Sequence, residues 1–134
     1  MGPLARTAAL VGLLVVAGCG SATGGGDTAE PPQPGYDLQI TYWPEGKGGE
    51  SRTASLTCDP SGGTHADPAK ACAALDAHPE ALHPVPMDSA CTEIYGGDQV
   101  AQIESQGLQA TFNRTDGCEI ARWDALAPVL EITS

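Results

Sequence analysis

Large rings are scarce in this chain of 134 residues, which holds two Trp, three Tyr and one Phe. A domain so poor in aromatics builds a thin core, and a thin core in a small chain needs covalent help. Cations are scarce too. Six Lys and Arg stand against 17 Asp and Glu, for a formal charge of −11. Scattered cations cannot make the basic patch that counterion release from a polyanion requires, so nucleic acid is excluded as a partner. An anionic membrane surface is disfavoured for the same reason. Catalytic signatures are missing as well: no Gly-x-Ser-x-Gly elbow and no His-Glu-x-x-His pair occurs. A hydrolytic enzyme needs such a constellation of nucleophile and base or of metal ligands. No enzyme activity and no cofactor are expected. The length is that of one domain.

What is present begins with a segment that is not fold. Met1 to Arg6 carries one cation and no acid, Thr7 to Val16 is almost wholly apolar or Gly, and Val16-Ala17-Gly18-Cys19 closes the run. A short apolar run behind one Arg, ending in small residues, reads as a secretory signal. It falls short of the about 20 apolar residues of a membrane span. Val-Ala-Gly-Cys resembles the lipobox of bacterial lipoproteins, which implies cleavage before Cys19 and diacylglycerol on its sulfur; the competing reading is an ordinary signal with a stray Cys. Residues 1–18 are thus a lipoprotein signal peptide. Residues 19–35 are a lipidated Cys followed by a tether, GSATGGGDTAEPPQPG, flexible at its Gly end and stiffer through Pro31 to Pro34. The chain is exported, and is held on the outer face of the membrane by the lipid alone or released outside the cell.

Residues 36–134 form the folded domain. Leu38 to Trp43 alternates in hydrophobicity and is rich in β-formers, Pro44 to Glu50 holds three glycines, and Ser51 to Cys58 is again extended, which predicts a hairpin. Pro68 opens Ala69 to Ala77, a run of helix formers with Pro at the favoured first position, and Pro79 ends it. Asp98 to Glu104, Leu108 to Arg114 and Val129 to Ile132 read as further strands, with a short helix within Glu119 to Leu126. The pattern predicts an α+β domain with an antiparallel sheet of about five strands and two short helices.

Lipidation of Cys19 leaves Cys58, Cys72, Cys91 and Cys118, an even set that an exported chain pairs into two disulfides by one of three connectivities. A zinc site is the competing reading, with His65, His78 and His83 nearby, but no Cys-x-x-Cys or paired His spacing supports it. No metal is expected. A Cys–His nucleophile is weaker still, because an oxidising compartment consumes free thiols.

Leu56-Thr57-Cys58-Asp59-Pro60, then Gly63-Thr64-His65, then Ala71-Cys72-Ala73-Ala74-Leu75 resemble the Streptomyces subtilisin inhibitor family, in which a Leu-Thr-Cys strand end is followed by Gly-Thr-His-Pro and Ala-Cys-Ala-x-Leu. Cys91-Thr92-Glu93-Ile94-Tyr95 matches in position that family's Cys-Pro-x-Val-Tyr reactive loop, and Cys118-Glu119 its Asn-x-Cys-Glu closure. The resemblance implies Cys58–Cys72 and Cys91–Cys118 disulfides and a sheet of five strands with two helices. It also implies homodimers through the sheet face. It further implies a serine-protease inhibitor whose reactive loop is Cys91, Thr92, Glu93, Ile94 and Tyr95, with Glu93–Ile94 as the reactive bond.

The same resemblance marks departures. Glu93 stands where the family generally has Met, Lys, Arg or another long side chain, so a target pocket selective for Glu or Asp is implied. Thr92 replaces Pro, and Gly96-Gly97 replaces Asp-Pro or Gly-Pro; both changes are expected to loosen the loop. Asp116 occupies the place of an Asn whose side chain braces the loop. The alternative function is a diverged, non-inhibitory scaffold or binding lipoprotein that kept the fold.

Overall fold

Leu38 and Ile40 alternate with Gln39 and Thr41, and the first pair is buried while the second faces outward, the period of two that makes a half-buried strand. In the computed structural model, which describes residues 35–133, this segment is β1, Asp37–Trp43. The expected signal peptide, Cys19 and the tether up to residue 34 lie outside the described residues. Arg52–Thr57 (β2) pairs antiparallel with β1, as the hairpin reading expects; Val100–Ser105 (β3) and Leu108–Phe112 (β4) complete a sheet of order β2-β1-β3-β4, antiparallel throughout. Register places Leu38 beside Leu56, Ile40 beside both Ala54 and Ile103, and Ala101 beside Phe112. All are buried. The opposite face carries Gln39, Thr41, Thr53, Ser55, Gln102 and Thr111.

Two helices cover the apolar face. Pro68–Ala77 (α1) begins where expected, with Asp67 accepting the Lys70 N–H at 3.2 Å, and buries Ala71, Cys72 and Leu75. Cys58–Cys72 (S–S 2.01 Å) fastens it to the end of β2. Gly117–Leu130 (α2) sets Trp123, Leu126, Val129 and Leu130 on one buried stripe. Its N-terminus is pinned by Cys91–Cys118. These bridges close loops of 14 and 27 residues. The chain-entropy model assigns them about 3 and about 3.5 kcal/mol, a large share of the about 5–15 kcal/mol by which domains are stable.

The expected fifth strand at Val129 to Ile132 is not a strand, so the described sheet has four. Val129 and Leu130 are the last residues of α2, which at 14 residues is not a short helix. Pro128 lies inside it, at a cost of about 3 kcal/mol in a helix interior. Burying two side chains such as Val129 and Leu130 stabilises by about 1.5–3 kcal/mol each, and that outweighs the proline.

Arg122 ties the second helix to the chain that leads toward the site. Its side chain is 7% exposed and lies over the Phe112 ring at 4.1 Å. It donates to the Ala81 carbonyl (2.7 Å), the Thr111 carbonyl (2.9 Å) and Glu119 Oε2 (3.2 Å). The 3₁₀ turn Pro79–Leu82, and hence the irregular segment 83–90 after it, is held against α2 and β4 in this way.

Candidate functional site

Cys91 to Gly97 belongs to neither strand nor helix and crosses the start of α2. The five residues singled out from the sequence are contiguous on the surface there. Cys91 is half-buried by its bridge to Cys118, Thr92 and Glu93 are exposed, and Ile94 and Tyr95 are large hydrophobics at 54% and 66% exposure. Exposing two such side chains side by side costs free energy in water, which an interaction surface recovers on binding.

The segment is fixed on both sides of Glu93–Ile94. On the N-terminal side the Thr92 carbonyl accepts the Gly117 N–H at 2.9 Å and the Ile94 N–H at 3.0 Å, so the chain bulges at Glu93. Glycine at 117 leaves room for this contact, since a Cβ there would overlap Thr92 Oγ1. On the C-terminal side Gly96 and Arg114 pair twice: the Gly96 N–H donates to the Arg114 carbonyl at 2.7 Å, and Arg114 Nε–H donates to the Gly96 carbonyl at 3.1 Å. Arg114 also donates to Asp124 Oδ1 at 3.1 Å and lies 5.8 Å from the centre of the Trp123 ring. Within the loop, the Tyr95 hydroxyl donates to Asp98 Oδ1. That bond and the nearby carboxylate push the Tyr95 phenol above its ordinary value.

Several expectations change here. The Gly96-Gly97 pair does not loosen the loop. A Cβ on Gly96 would lie 2.9 Å from Ile120 Cδ1 and 3.1 Å from Arg114 Nε, so at Gly96 the loop comes close against its support. Gly97 takes φ +129°, a conformation that side-chain-bearing residues rarely adopt. Asp116 does not brace the loop through its side chain; it caps α2, accepting the Cys118 and Glu119 N–H groups at 2.9 Å each. The bracing comes from Gly117 and Arg114, which sequence reasoning did not single out.

The zinc reading loses its cysteine ligands and His65. Cys58, Cys72, Cys91 and Cys118 are all in disulfides. His65 is buried and uses both ring nitrogens: Nδ1 accepts the Asp67 N–H at 3.1 Å, which leaves Nε2–H to donate to the Val129 carbonyl at 3.2 Å. Cys91, Asp116 and Cys118 lie together, but the two sulfurs are bonded to each other and offer no thiolate. Cys58 and Cys72 belong to the frame rather than to the loop.

Compared with known proteins, residues 37–114 match the family model described as subtilisin inhibitor-like. The match runs from β1 through the exposed loop to Arg114, while α2 and Cys118 lie beyond it. No curated protein matches the chain.

Proposed function

The chain belongs to the subtilisin inhibitor-like family, and from that premise we propose that it inhibits an extracellular serine protease through Cys91–Tyr95, with Glu93–Ile94 as the reactive bond. Membership supports subtilisin-type protease inhibition at the level of the family, with a serine protease as the partner. Together with the two disulfides it supports action outside the cell. In this reading Cys91 is P3, Thr92 P2, Glu93 P1, Ile94 P1′, Tyr95 P2′ and Gly96 P3′. The observation that supports it is an exposed peptide bond held between two fixed points, Thr92 against Gly117 and Gly96 against Arg114.

A substrate-like segment lies in a protease cleft as an added strand, with the P1 carbonyl before the nucleophilic serine and its oxygen in the oxyanion hole. Two properties keep it from behaving as a substrate. The loop is ordered before binding, so little conformational entropy is lost. Both new ends are also held after cleavage: the Glu93 side through Thr92 and the Cys91–Cys118 bridge, the Ile94 side through Gly96. The Ile94 amine then stays near the acyl group, and religation competes with hydrolysis.

Glu93 sets the target. An apolar pocket would strip water from an unpaired carboxylate at a cost of several kcal/mol, and each 1.4 kcal/mol is tenfold in affinity. A pocket carrying a cation or several donors offsets that cost with charge-assisted hydrogen bonds, which favours a protease selective for Glu or Asp. Once the proposed export signal of residues 1–18 is removed, the lipid on Cys19 and the tether within 19–35 would hold residues 36–134 clear of the membrane.

The test is inhibition by the oxidised domain of three serine proteases that prefer apolar, cationic or acidic P1 residues. Tightest inhibition of the acid-preferring enzyme, with slow cleavage confined to Glu93–Ile94, is expected. A folded domain that inhibits none of them is instead the non-inhibitory scaffold.

A further inference from the structure

We propose that Arg114 is the positioning residue for the primed side of the loop, and that it decides whether the Ile94 amine released by cleavage stays in place for resynthesis. This rests on Glu93–Ile94 being the reactive bond. The disulfide and the Gly117 N–H hold the chain only up to Thr92. Between Ile94 and the start of β3, the hydrogen bonds among the described residues that tie the loop to another part of the fold both run to Arg114, one to its carbonyl and one from its Nε. The Tyr95–Asp98 bond stays within the loop and supplies no outside anchor.

The guanidinium has partners of its own. Asp124 Oδ1 takes Nη1–H at 3.1 Å from one side and the Trp123 ring lies against it, so both supports come from the rigid, buried-stripe helix α2. A planar fork with separate donors on Nε and Nη1 can hold Gly96 and Asp124 at once; an ammonium on a flexible stem is a point charge without that fixed geometry. Gly96 completes the arrangement, because its bare Cα allows the carbonyl to come up against Arg114 and Ile120. Asp116 cannot substitute for Arg114, since its carboxylate is committed to the helix cap.

After acylation the Glu93 carbonyl carbon is bonded to the protease serine and the Ile94 nitrogen is a free amine. Resynthesis reforms the Glu93–Ile94 bond and releases the serine; hydrolysis requires water to take the amine's position. Freeing Gly96 lets the amine drift and favours hydrolysis. Arg114 touches no reacting atom, so its loss should change the partition between the two outcomes more than the initial affinity.

The experiment compares the wild-type oxidised domain with Arg114→Ala and Arg114→Lys, using hydrogen exchange and a Glu-directed serine protease. Arg114→Ala keeps the bond from the Gly96 N–H to the residue 114 carbonyl but removes the Nε bond to the Gly96 carbonyl and the ties to Asp124 and Trp123 that hold that stretch. The Gly96 amide should therefore exchange several-fold faster while the Gly117 amide, which donates to Thr92, keeps its protection. Turnover at Glu93–Ile94 should rise at least tenfold, the equilibrium ratio of cleaved to intact chain should shift toward cleaved by a similar factor, and the inhibition constant should change by less. Arg114→Lys, which keeps the charge and the stem, should fall between. It also serves as the readout if the Ala variant loses core protection. Normal Gly96 protection in a folded variant overturns the brace. Faster Gly96 exchange with an unchanged cleaved-to-intact ratio overturns its role in resynthesis. Absence of wild-type cleavage or inhibition at Glu93–Ile94 overturns the reactive-bond reading and the resynthesis claim with it, whatever the exchange data show.

Discussion

The Gly117 N–H donates to the Thr92 carbonyl at 2.9 Å, and the side chain that Gly117 lacks leaves the space that the Thr92 hydroxyl fills. The start of α2 and the exposed loop are therefore one unit. Asp116 caps the helix, Gly117 receives the loop, and Cys118 bonds it covalently to Cys91. Residue 117 serves helix and loop together, and the two have opposite preferences: the helix favours Ala, by at most about 0.5–1 kcal/mol at its first position, and the loop favours Gly.

Gly117→Ala decides between them. Forcing a methyl into a packed contact costs about 1–3 kcal/mol, which exceeds the propensity gain, so net destabilisation is expected by urea unfolding. Amide exchange at Ile94, whose N–H shares the Thr92 carbonyl, should quicken at the same time. Thr92→Ala removes the hydroxyl that meets the new Cβ, so the double variant should recover much of the loss. A double variant no better than Gly117→Ala would mean that the clash is not with Thr92.

The strand core was open to sequence reading because burial there follows local alternation: Leu38, Ile40, Ala54, Leu56, Ala101 and Ile103 each sit in a period of two. The start of α1 was equally local, carried by Pro68 and the helix formers behind it. The disulfide partners were not local. Four cysteines allow three pairings, and a resemblance to known proteins selected the one that the structure shows. The last turn of α2 was hidden because Pro128 and the β-branched Val129 and Ile132 imitate a strand, while the Trp123-Leu126-Val129-Leu130 stripe that overrides them acts through tertiary burial. Arg114 was hidden for a related reason. It meets Gly96 from 18 positions away, and no spacing rule connects the end of a strand with a glycine in another loop. The sole clue in the sequence was the pair Gly96-Gly97, which marks either freedom or close approach; only geometry separates the two.

Arg122 makes a second long-range tie, and its removal should be severe. Its guanidinium satisfies carbonyls of Ala81 and Thr111 and pairs with Glu119, whose side chain is 15% exposed. Arg122→Met keeps an apolar stem but removes the guanidinium that lies over Phe112 and leaves Glu119 and those carbonyls without that donor. Breaking a buried pair in this way costs about 3–5 kcal/mol. Arg122→Lys should recover only part of it, because one ammonium cannot reach all three directions. Urea midpoints of the two variants test the order wild type, Lys, Met.

The Tyr95–Asp98 bond gives the loop a pH dependence of known sign. The neutral phenol donates to the carboxylate, and a phenolate would face that negative charge, so ionisation is raised above the ordinary 10.0. The bond is fully present below pH 10 and is lost as the pH rises through the raised value. Tyr95 is exposed, so the effect on global stability is small; the readout is local. The ring-carbon NMR titration of Tyr95 should lie above 10.0, and Asp98→Asn should bring it back toward 10.0. Added salt should narrow the difference, since exposed charges are screened. A Tyr95 titration that Asp98→Asn does not move would show that the carboxylate is not its partner in solution.

Glu93 stands at the exposed bulge of the loop, so replacing it should leave folding stability within about 0.5 kcal/mol, as for surface positions in general. The consequences should appear in recognition alone. In the apolar pocket of a subtilisin-type protease, Glu93→Met exchanges an unpaired carboxylate for a side chain that gains from burial. Relief of a desolvation penalty of several kcal/mol corresponds to about a hundredfold or more in the inhibition constant. In the acidic pocket of a trypsin-like protease, Glu93→Lys turns like-charge repulsion into a pair and should gain at least as much. Against an acid-preferring protease both variants should lose, because the cation or donors in its pocket then face no carboxylate. Inhibition constants for three inhibitors against three enzymes thus form a grid whose largest affinities lie on one diagonal. A grid in which affinity follows the protease and ignores residue 93 would place the contact elsewhere on the surface and remove Glu93 from the P1 position.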